Sequence, residues 1–343
     1  MSTKNSTKTR TLTTTFDDFE KPKLPSCPKC LSYKNVVKAG TRKLKDKSST
    51  QVYLCKPCNH RFTTRTIPRT PYSTKLILNS LTYFNFGHTL NQTQKTMSRK
   101  FKTKIPISTL NNWIKRFEPE LSFIRLRKKY TINPNDIIHS KKFYHQQVYE
   151  FKYHTLKTNF NGKTFPQLKS YITSIHKIPH FIPETPFQAG PRCSELRIDL
   201  KPRKTTKHNN APRLTELALT LVKTNHERHQ KVEDFFLIND SATIATEVPV
   251  YINPRELSIK EQKDYGINLE EPLSGHIDIL QVRWNTIHIL DFKPEAKLSD
   301  KPAAEQLFLY ALALSKRINT PISKINSAYF DDKNYFQIQP SDS

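Results

Sequence analysis

The sequence predicts a multidomain chain in which a small cysteine-rich module and a helical region precede an α/β core. Three observations support this division of the 343 residues. Two Cys-x-x-Cys pairs lie within residues 25–66, apolar residues recur at helical spacing within residues 67–130, and helices alternate with strands over residues 211–335. A flexible basic leader (residues 1–24) and a basic connecting region of unpredicted fold (residues 131–210) complete the chain.

Charge is distributed unevenly along the chain. Residues 1–210 contain 41 Lys and Arg against 11 Asp and Glu, whereas residues 211–343 contain 15 against 19. The net charge of +26 therefore comes from the first part, where it favours a nucleic-acid backbone as partner. A charge that served only solubility would have no reason to segregate in this way. DNA is the expected partner, and RNA is compatible with the same charge.

Several classes of protein are excluded. No stretch approaches the ~18 apolar residues that a membrane-spanning helix needs, and Met1–Thr15 lacks the apolar segment of a secretory signal. We therefore expect a cytoplasmic protein without membrane contact, associated with the nucleoid if the source is prokaryotic. None of the six glycines lies in a phosphate-binding loop. We expect no bound nucleotide, so an ATP-driven step would need a partner ATPase.

The four paired cysteines have the spacing of a structural metal site. In a cytosolic chain, two Cys-x-x-Cys pairs favour a tetrahedral zinc ion over disulfides or a redox pair, which remain the alternatives. Four thiolates close the coordination shell, so the site would be structural and not catalytic. We expect strands on either side of Gly40 and a free cysteine at Cys193. The predicted zinc ligands are Cys27, Cys30, Cys55 and Cys58.

The segment from Cys27 to Thr63 resembles the zinc ribbons that open many insertion-sequence transposases, in which a helix-turn-helix follows. This resemblance implies that residues 67–130 bind DNA, with Ser108 as the N-cap of a recognition helix that ends near Phe117. A plain helical hairpin is the alternative. Two groups of residues are expected to contact DNA. Bases would be contacted by Thr109, Asn111 and Asn112, and phosphates by Lys115 and Arg116.

The last third of the sequence predicts an α/β core. The pattern indicates a helical run over about Leu214–Ile238, three strands and a returning helix that begins near Pro302. Asp291 and Lys293 lie two residues apart on the third strand, so their side chains project together. Asp278 lies on the preceding strand of the same hairpin. Carboxylates in this arrangement favour Mg²⁺, and a lysine beside them suits phosphodiester chemistry.

These residues resemble the PD-(D/E)xK nuclease superfamily, and Gln306 and Tyr310 resemble the QxxxY motif of its RecB-type branch. The resemblance implies a restriction-endonuclease-like core and a Mg²⁺- or Mn²⁺-dependent deoxyribonuclease. It also implies an upstream metal ligand, for which His229 is favoured over Glu233 and Glu227, and an acidic residue before the hairpin, Glu247. No cysteine follows Cys193, so no iron–sulfur cluster is expected. The alternative is a solvated Asp291–Lys293 pair without catalytic function.

Three functions follow from these patterns. The first is a DNA nuclease of a mobile element, recombination or defence system, acting alone, as a homodimer or with a partner ATPase. The second is a DNA-binding regulator or transposon-end-binding protein whose nuclease fold is inactive. The third is a strand-joining transposase, but the sparse acidic residues of the connecting region form no carboxylate triad. The intact set of Asp278, Asp291 and Lys293 favours the nuclease.

Overall fold

The computed structural model describes residues 24–145, 147–188, 190–198, 202–298 and 300–340. By contact density the chain divides into two compact units, Met1–Arg69 and Thr70–Ser343. Residues 1–23 of the expected leader lie outside the described residues.

The first unit is a small antiparallel sheet in the order β1-β2-β3. Its strands are β1 (Val36–Lys43), β2 (Ser49–Cys55) and β3 (His60–Phe62). Gly40 lies inside β1 at a break in the register, with φ of 85°. It therefore forms a bulge, and the turn expected there lies further along at residues 44–48. Among the described residues of this unit, few side chains are buried: Cys27, Val36, Asp46, Cys55 and Ile67. Such a small core gives the segment little hydrophobic stabilisation of its own.

The second unit begins with four helices, of which the first three pack on one another. Ser73 caps α1, and Thr89 forms a capping box with Gln92 at the start of α2. The apolar spacing of α3 places one face in the core, as the sequence predicts. The helices are α1 (Thr74–Asn85), α2 (Leu90–Lys100), α3 (Ile107–Phe117) and α4 (Phe123–Lys129).

An eight-stranded mixed sheet forms the centre of this unit, in the order β4-β5-β7-β8-β9-β10-β11-β6. All paired neighbours are antiparallel except β9 and β10, which are parallel. The strands are β4 (Ile138–His145), β5 (Gln147–His154), β6 (Pro202–Thr206), β7 (Thr243–Ile252), β8 (Leu273–Arg283), β9 (Thr286–Phe292), β10 (Ile325–Phe330) and β11 (Tyr335–Pro340).

Seven further α-helices complete the described part of this unit. They are α5 (Thr155–Asn161), α6 (Pro166–Lys177), α7 (Glu184–Gln188), α8 (Ala211–Leu219), α9 (Arg228–Asn239), α10 (Ile259–Tyr265) and α11 (Asp300–Ile318). Ser327 of β10 donates to a carbonyl of α11, whereas Phe330 contacts Phe236 of α9. Residues three apart on a strand project from opposite faces. The two helices therefore cover opposite faces of the sheet, which gives an α/β core.

The structure differs from the predicted organisation in three respects. The last third contains five strands, β7 to β11, where three were expected. The connecting region of residues 131–210 is part of the main sheet, because β4 and β5 extend one edge and β6 closes the other. The predicted helix over Leu214–Ile238 is two helices, since α8 ends at Leu219 and α9 begins at Arg228. The residues between them include Thr220, Val222 and Thr224, whose branched side chains disfavour a helix.

Candidate active site

Two adjacent strands bring the predicted aspartates together. β8 and β9 form a hairpin whose turn residues, Trp284 and Asn285, both have positive φ. The last pair of its ladder joins Ile279 to Leu290, so Asp278 and Asp291 follow at the open end. The backbone N–H of Phe292 donates to Oδ2 of Asp278 at 3.2 Å. The hairpin register thus fixes two carboxylates side by side.

A line of polar contacts runs from Asp291 to the following helix. Nζ of Lys293 lies 2.9 Å from Oδ2 of Asp291 and donates to Oε1 of Gln306 at 3.3 Å. Nε2 of Gln306 donates to the Tyr310 hydroxyl at 2.7 Å. Gln306 and Tyr310 are one turn apart on α11. Gln306 and Tyr310 therefore hold the lysine ammonium beside the carboxylate.

Gly275 is required by the same arrangement. A Cβ at this position would lie 2.3 Å from Cε1 of Tyr310, a distance that no packed structure tolerates. The Tyr310 ring thus packs directly on the backbone of β8. This contact explains why a glycine stands three residues before Asp278.

Helix α9 adds two further ligand candidates. Ligand atoms of His229, Glu233 and Asp278 lie within 4.8 Å of one another. The spacing of four residues places His229 and Glu233 on one helix face. The favoured His229 and the alternative Glu233 therefore meet at the same point. Glu227 is outside this group and faces a cleft on another side of the helix.

Glu247 reaches the cluster from β7 through an unusual backbone. Its φ is 49°, a left-handed conformation that is rare for a non-glycine residue inside a strand. The ladder pairs Thr246 with Ile279 and Val248 with Ile277, which leaves Glu247 opposite Asp278. Strained backbone of this kind costs about 1–3 kcal/mol and concentrates at functional sites.

The clustered carboxyl groups oppose one another's ionisation. Burial, the negative charge of Asp291 and that of Glu247 raise the pKa of Asp278 well above its ordinary value. Burial and Glu247 raise the pKa of Glu233 in the same direction. The pKa of Glu247 rises to about 7, through burial first and then Asp291, against the lowering effect of its hydrogen bond with Glu233. Without a cation, repulsion between the negative charges prevents these carboxyl groups from all ionising at once.

A divalent cation fits this donor set. Asp291 is 2% exposed, and its Oδ2 lies 2.9 Å from Nζ of Lys293. Carboxylate oxygens are the ligands that Mg²⁺ and Mn²⁺ prefer. Partial burial lowers the pKa of His229, which keeps its ring neutral and able to ligate. The mutual repulsion of the buried carboxyl groups favours a bound cation.

Lys152 is a neighbour of this site that the sequence patterns do not reveal. It lies on β5, opposite Thr246, and its Nζ contacts Asp234 at 2.8 Å and Glu150 at 3.0 Å. Its charge lowers the pKa of both Glu233 and Glu247. The residue lies in the connecting region, far along the chain from the other site residues and in no recognisable motif. Only the pairing of β5 with β7 brings it near.

The four predicted zinc ligands cluster in the first unit. Sγ of Cys27 lies 3.6 Å from that of Cys58, and Sγ of Cys30 lies 3.5 Å from that of Cys55. Zn–S bonds of ~2.3 Å in a tetrahedron require S–S distances of roughly 3.8 Å, close to those observed. The cluster could hold a zinc ion.

Both cysteine pairs have the same backbone shape. Leu31 follows Cys30 with φ of 59°, and Asn59 follows Cys58 with φ of 50°. Burial and the neighbouring thiols raise the pKa of Cys55 to about 12. Desolvation also acts on Cys27, but backbone hydrogen bonds outweigh it and lower the pKa of that thiol to about 7. A bound cation would favour the thiolate forms of Cys27 and Cys55.

The expected DNA-contacting residues lie on α3. Asn111, Asn112, Lys115 and Arg116 are exposed and Thr109 is half-buried, opposite the face that packs on α1 and α2. The predicted N-cap was wrong: α3 begins at Ile107 after Pro106, with no side-chain cap. Ser108 therefore lies within the first turn, because Pro106 already has the extended conformation that precedes a helix.

Comparisons of the chain with protein-family models, with curated proteins and with solved structures return no match. Among the described residues, no helix is both long and apolar enough to cross a bilayer.

Proposed function

We propose that this chain is a Mg²⁺- or Mn²⁺-dependent deoxyribonuclease that hydrolyses phosphodiester bonds. One observation carries the proposal. Asp278, Asp291 and Lys293 meet at the end of one hairpin, where His229, Glu233 and Glu247 also converge. A solvated surface ion pair would not be accompanied by four mutually repelling carboxyl groups.

The cation would be held by the carboxylates of Asp278 and Asp291, with Glu247, Glu233 and His229 as further ligands. When bound, it neutralises charge on the scissile phosphate and activates a water for attack. The ligands come from three strands and one helix, so the fold holds them before the substrate arrives. Such preorganisation is what gives charged groups their catalytic effect.

Lys293 acts as a fixed positive charge beside the phosphate. Burial lowers its pKa, but Asp291 and Asp278 outweigh this effect and raise the pKa above its ordinary value. The ammonium therefore stays protonated and donates hydrogen bonds to the attacking water or to the phosphate oxygens. Gln306 keeps it in place through Oε1, and Tyr310 keeps Gln306 in place.

The remaining parts of the chain would bring DNA to this site. Zinc bound by the four cysteines would fold the first unit, and the exposed side chains of α3 would contact the duplex. The concentration of basic residues before residue 211 supports this division of roles. A mobile-element, recombination or defence setting is consistent with such an architecture.

A cleavage assay tests the proposal. The full chain is incubated with supercoiled, linear and single-stranded DNA in Mg²⁺ or Mn²⁺, with EDTA as the metal-free arm. Lys293→Ala is compared with Lys260→Ala, an exposed lysine of α10. We expect metal-dependent cutting that falls by about 10²-fold or more in Lys293→Ala, as for loss of one charge-stabilising donor, and is unchanged in Lys260→Ala.

Loss of supercoiled DNA would identify an endonuclease, and loss of linear DNA alone an exonuclease. Salt-sensitive DNA binding without cleavage of any of these substrates would overturn the proposal. The chain would then be a DNA-binding protein whose nuclease-like core is inactive.

A further inference from the structure

A cleft of about 720 Å³ lies between the helical region and α9. Its walls are formed by α1 and α2 on one side and by α9 and the segment before it on the other. Each wall contributes two lysines: Lys75 and Lys100 from the first, Lys223 and Lys231 from the second. All four are exposed.

The cleft has an excess of positive charge. Two acidic residues, Glu227 and Asp234, also line it. Asp234 is paired with Lys152 at 2.8 Å, so little of its charge faces the cleft. Among the described residues none of the four lysines forms a salt bridge, and Lys100 alone donates a hydrogen bond, to Oδ1 of Asn79 at 3.0 Å. The cleft can therefore attract an anion.

The same helix connects this cleft to the candidate active site. Lys231 and Asp234 of α9 line the cleft, while His229 and Glu233 meet Asp278 on an adjoining face. A helix with its side chains is about 10 Å across, which is roughly three base-pair steps at 3.4 Å each. A DNA backbone held by these lysines would reach the carboxylates within a few nucleotides.

We propose that this cleft binds the phosphate backbone of duplex DNA and guides it from the helical region to the carboxylate cluster. The proposal rests on the proposed nuclease function and names a substrate contact for it. The lining favours a duplex over a single strand. Proteins that hold single strands stack bases on exposed aromatic rings, and the one aromatic residue in this lining, Phe235, is only 3% exposed.

The test is equilibrium binding of the zinc-loaded full chain without added Mg²⁺ or Mn²⁺, where no cutting is expected. The variant replaces Lys75, Lys100, Lys223 and Lys231 with Gln. The control replaces four exposed lysines outside the cleft, Lys260, Lys263, Lys324 and Lys333, with Gln, so that the charge change is the same. The probes are a labelled 30-base-pair duplex, a single strand of one of its sequences and poly-glutamate, each measured over a range of salt concentrations.

We expect the cleft variant to bind the duplex about 10- to 100-fold more weakly at 0.15 M salt. Its slope of log affinity against log salt should fall by about 2–4, since each lost phosphate contact removes about 0.9. In the control variant, the loss of duplex affinity should be less than a third of that in the cleft variant. The double variant Lys223→Gln/Lys231→Gln leaves the helical region unchanged. Its loss of duplex affinity should be about half of that in the cleft variant.

Equal losses in the cleft and control variants would overturn the proposal. So would a loss confined to the single strand or to poly-glutamate, because the occupant would then be unpaired nucleic acid or an acidic protein. Failure of the cleft proposal can be distinguished from failure of the nuclease proposal. Wild-type chain that binds the duplex through these lysines but cuts nothing in Mg²⁺ would support the cleft and contradict the nuclease.

Discussion

At the scale of single residues, the candidate site concentrates unfavourable features in a small volume. Glu247 has a left-handed backbone, the pKa values of three carboxyl groups are raised, and the carboxylate of Asp291 is almost fully buried. Each of these features costs stability in the absence of a cation. A bound divalent ion would offset the last two, which gives the site a testable dependence on pH and metal.

Glu247→Gln should change how stability depends on pH. The pKa of Glu247 is about 7 in the folded chain, against ~4.3 when unfolded. The folded state therefore binds more protons between these values, so stability is lost as pH rises through this window. In EDTA, the free energy of unfolding of wild type should decrease between pH 5 and 8. The decrease should exceed that of the variant by on the order of 1–3 kcal/mol.

Mg²⁺ should reverse this difference in pH dependence between wild type and variant, because it favours the ionised carboxylates. The stabilisation of wild type by Mg²⁺ should be larger at pH 8 than at pH 5.5, and smaller in Glu247→Gln. Parallel pH profiles for wild type and variant in EDTA would show that Glu247 does not ionise in this window.

Gly275→Ala should disturb the lysine through Tyr310. The added methyl would lie 2.3 Å from the ring, so the ring must move, and Gln306 with it. We expect unfolding to become easier by about 1–3 kcal/mol and cleavage to slow at least as much as in Tyr310→Phe. In Gly275→Ala/Tyr310→Leu the two penalties should not add, because the obstructing ring is gone. Strict additivity would show that the two residues are independent.

The sequence predicts the members of the candidate site only where they lie close together along the chain. Asp278, Asp291, Lys293, Gln306 and Tyr310 lie on consecutive elements, so the period of a strand or a helix is enough to place them together. Lys152 depends on the pairing of β5 with β7, which spans some 90 residues. No local pattern encodes a contact of that kind.

At the scale of elements, a buried amide pair joins the helical region to α9. Nδ2 of Asn85 donates to Oδ1 of Asn239 at 2.9 Å, and Asn239 donates to Thr82 and to the carbonyl of Phe235. Both amides are fully buried. The helix that carries His229 and Glu233 is thereby fixed to α1, the first helix of the region expected to bind DNA.

Asn85→Ala should therefore cost about 1–3 kcal/mol in unfolding free energy, since it leaves a buried polar partner unsatisfied. Asn79→Ala, on the same helix and half-exposed, is the matched control and should change stability by no more than ~0.5 kcal/mol. Chemical denaturation with matched m-values measures both. Equal costs would mean that the pair contributes no specific coupling between α1 and α9.

In the last third, the order of β7, β8, β9 and α11 was predictable because each has a clear period and a turn nearby, whereas α10, β10 and β11 were not predicted. β7, β8, β9 and α11 match the expected segments within a few residues. The strands β4, β5 and β6 were not predicted. β4 and β6 lack a regular alternation of apolar and polar residues, whereas the alternation of Tyr149, Phe151 and Tyr153 with polar residues in β5 is a strand signal that the sequence analysis missed. They fold as strands because neighbouring strands supply hydrogen-bond partners, which is a tertiary effect.

At the scale of the whole molecule, the chain has two units with separate cores. The first contains the cysteine cluster and few buried side chains, and the second contains the large sheet. The sequence predicted the cysteine-rich module from its spacing alone. It did not predict that residues 70–343 form one compact unit, since that depends on contacts such as Asn85 with Asn239 and Ser122 with Asp240.

Zinc removal should affect only the first unit. We expect one zinc per chain, and we expect chelation or Cys30→Ser to abolish a low-temperature transition in calorimetry. The transition of residues 70–343 should be unchanged, because its core contains none of the four cysteines. A single transition that shifts as a whole on chelation would contradict this independence.

The most direct test of the central claim follows metal binding and DNA cleavage in one titration. Metal-stripped chain, with its zinc retained, is titrated with Mn²⁺ while bound Mn²⁺ and nicking of supercoiled DNA are measured together. Wild type is compared with Asp278→Asn and with Asp264→Asn, an exposed aspartate of α10. We predict that bound Mn²⁺ and nicking rise together in wild type and Asp264→Asn, and that both are lost in Asp278→Asn. Equal binding and nicking in Asp278→Asn, or full Mn²⁺ occupancy of wild type without nicking, would contradict a catalytic metal site at this cluster.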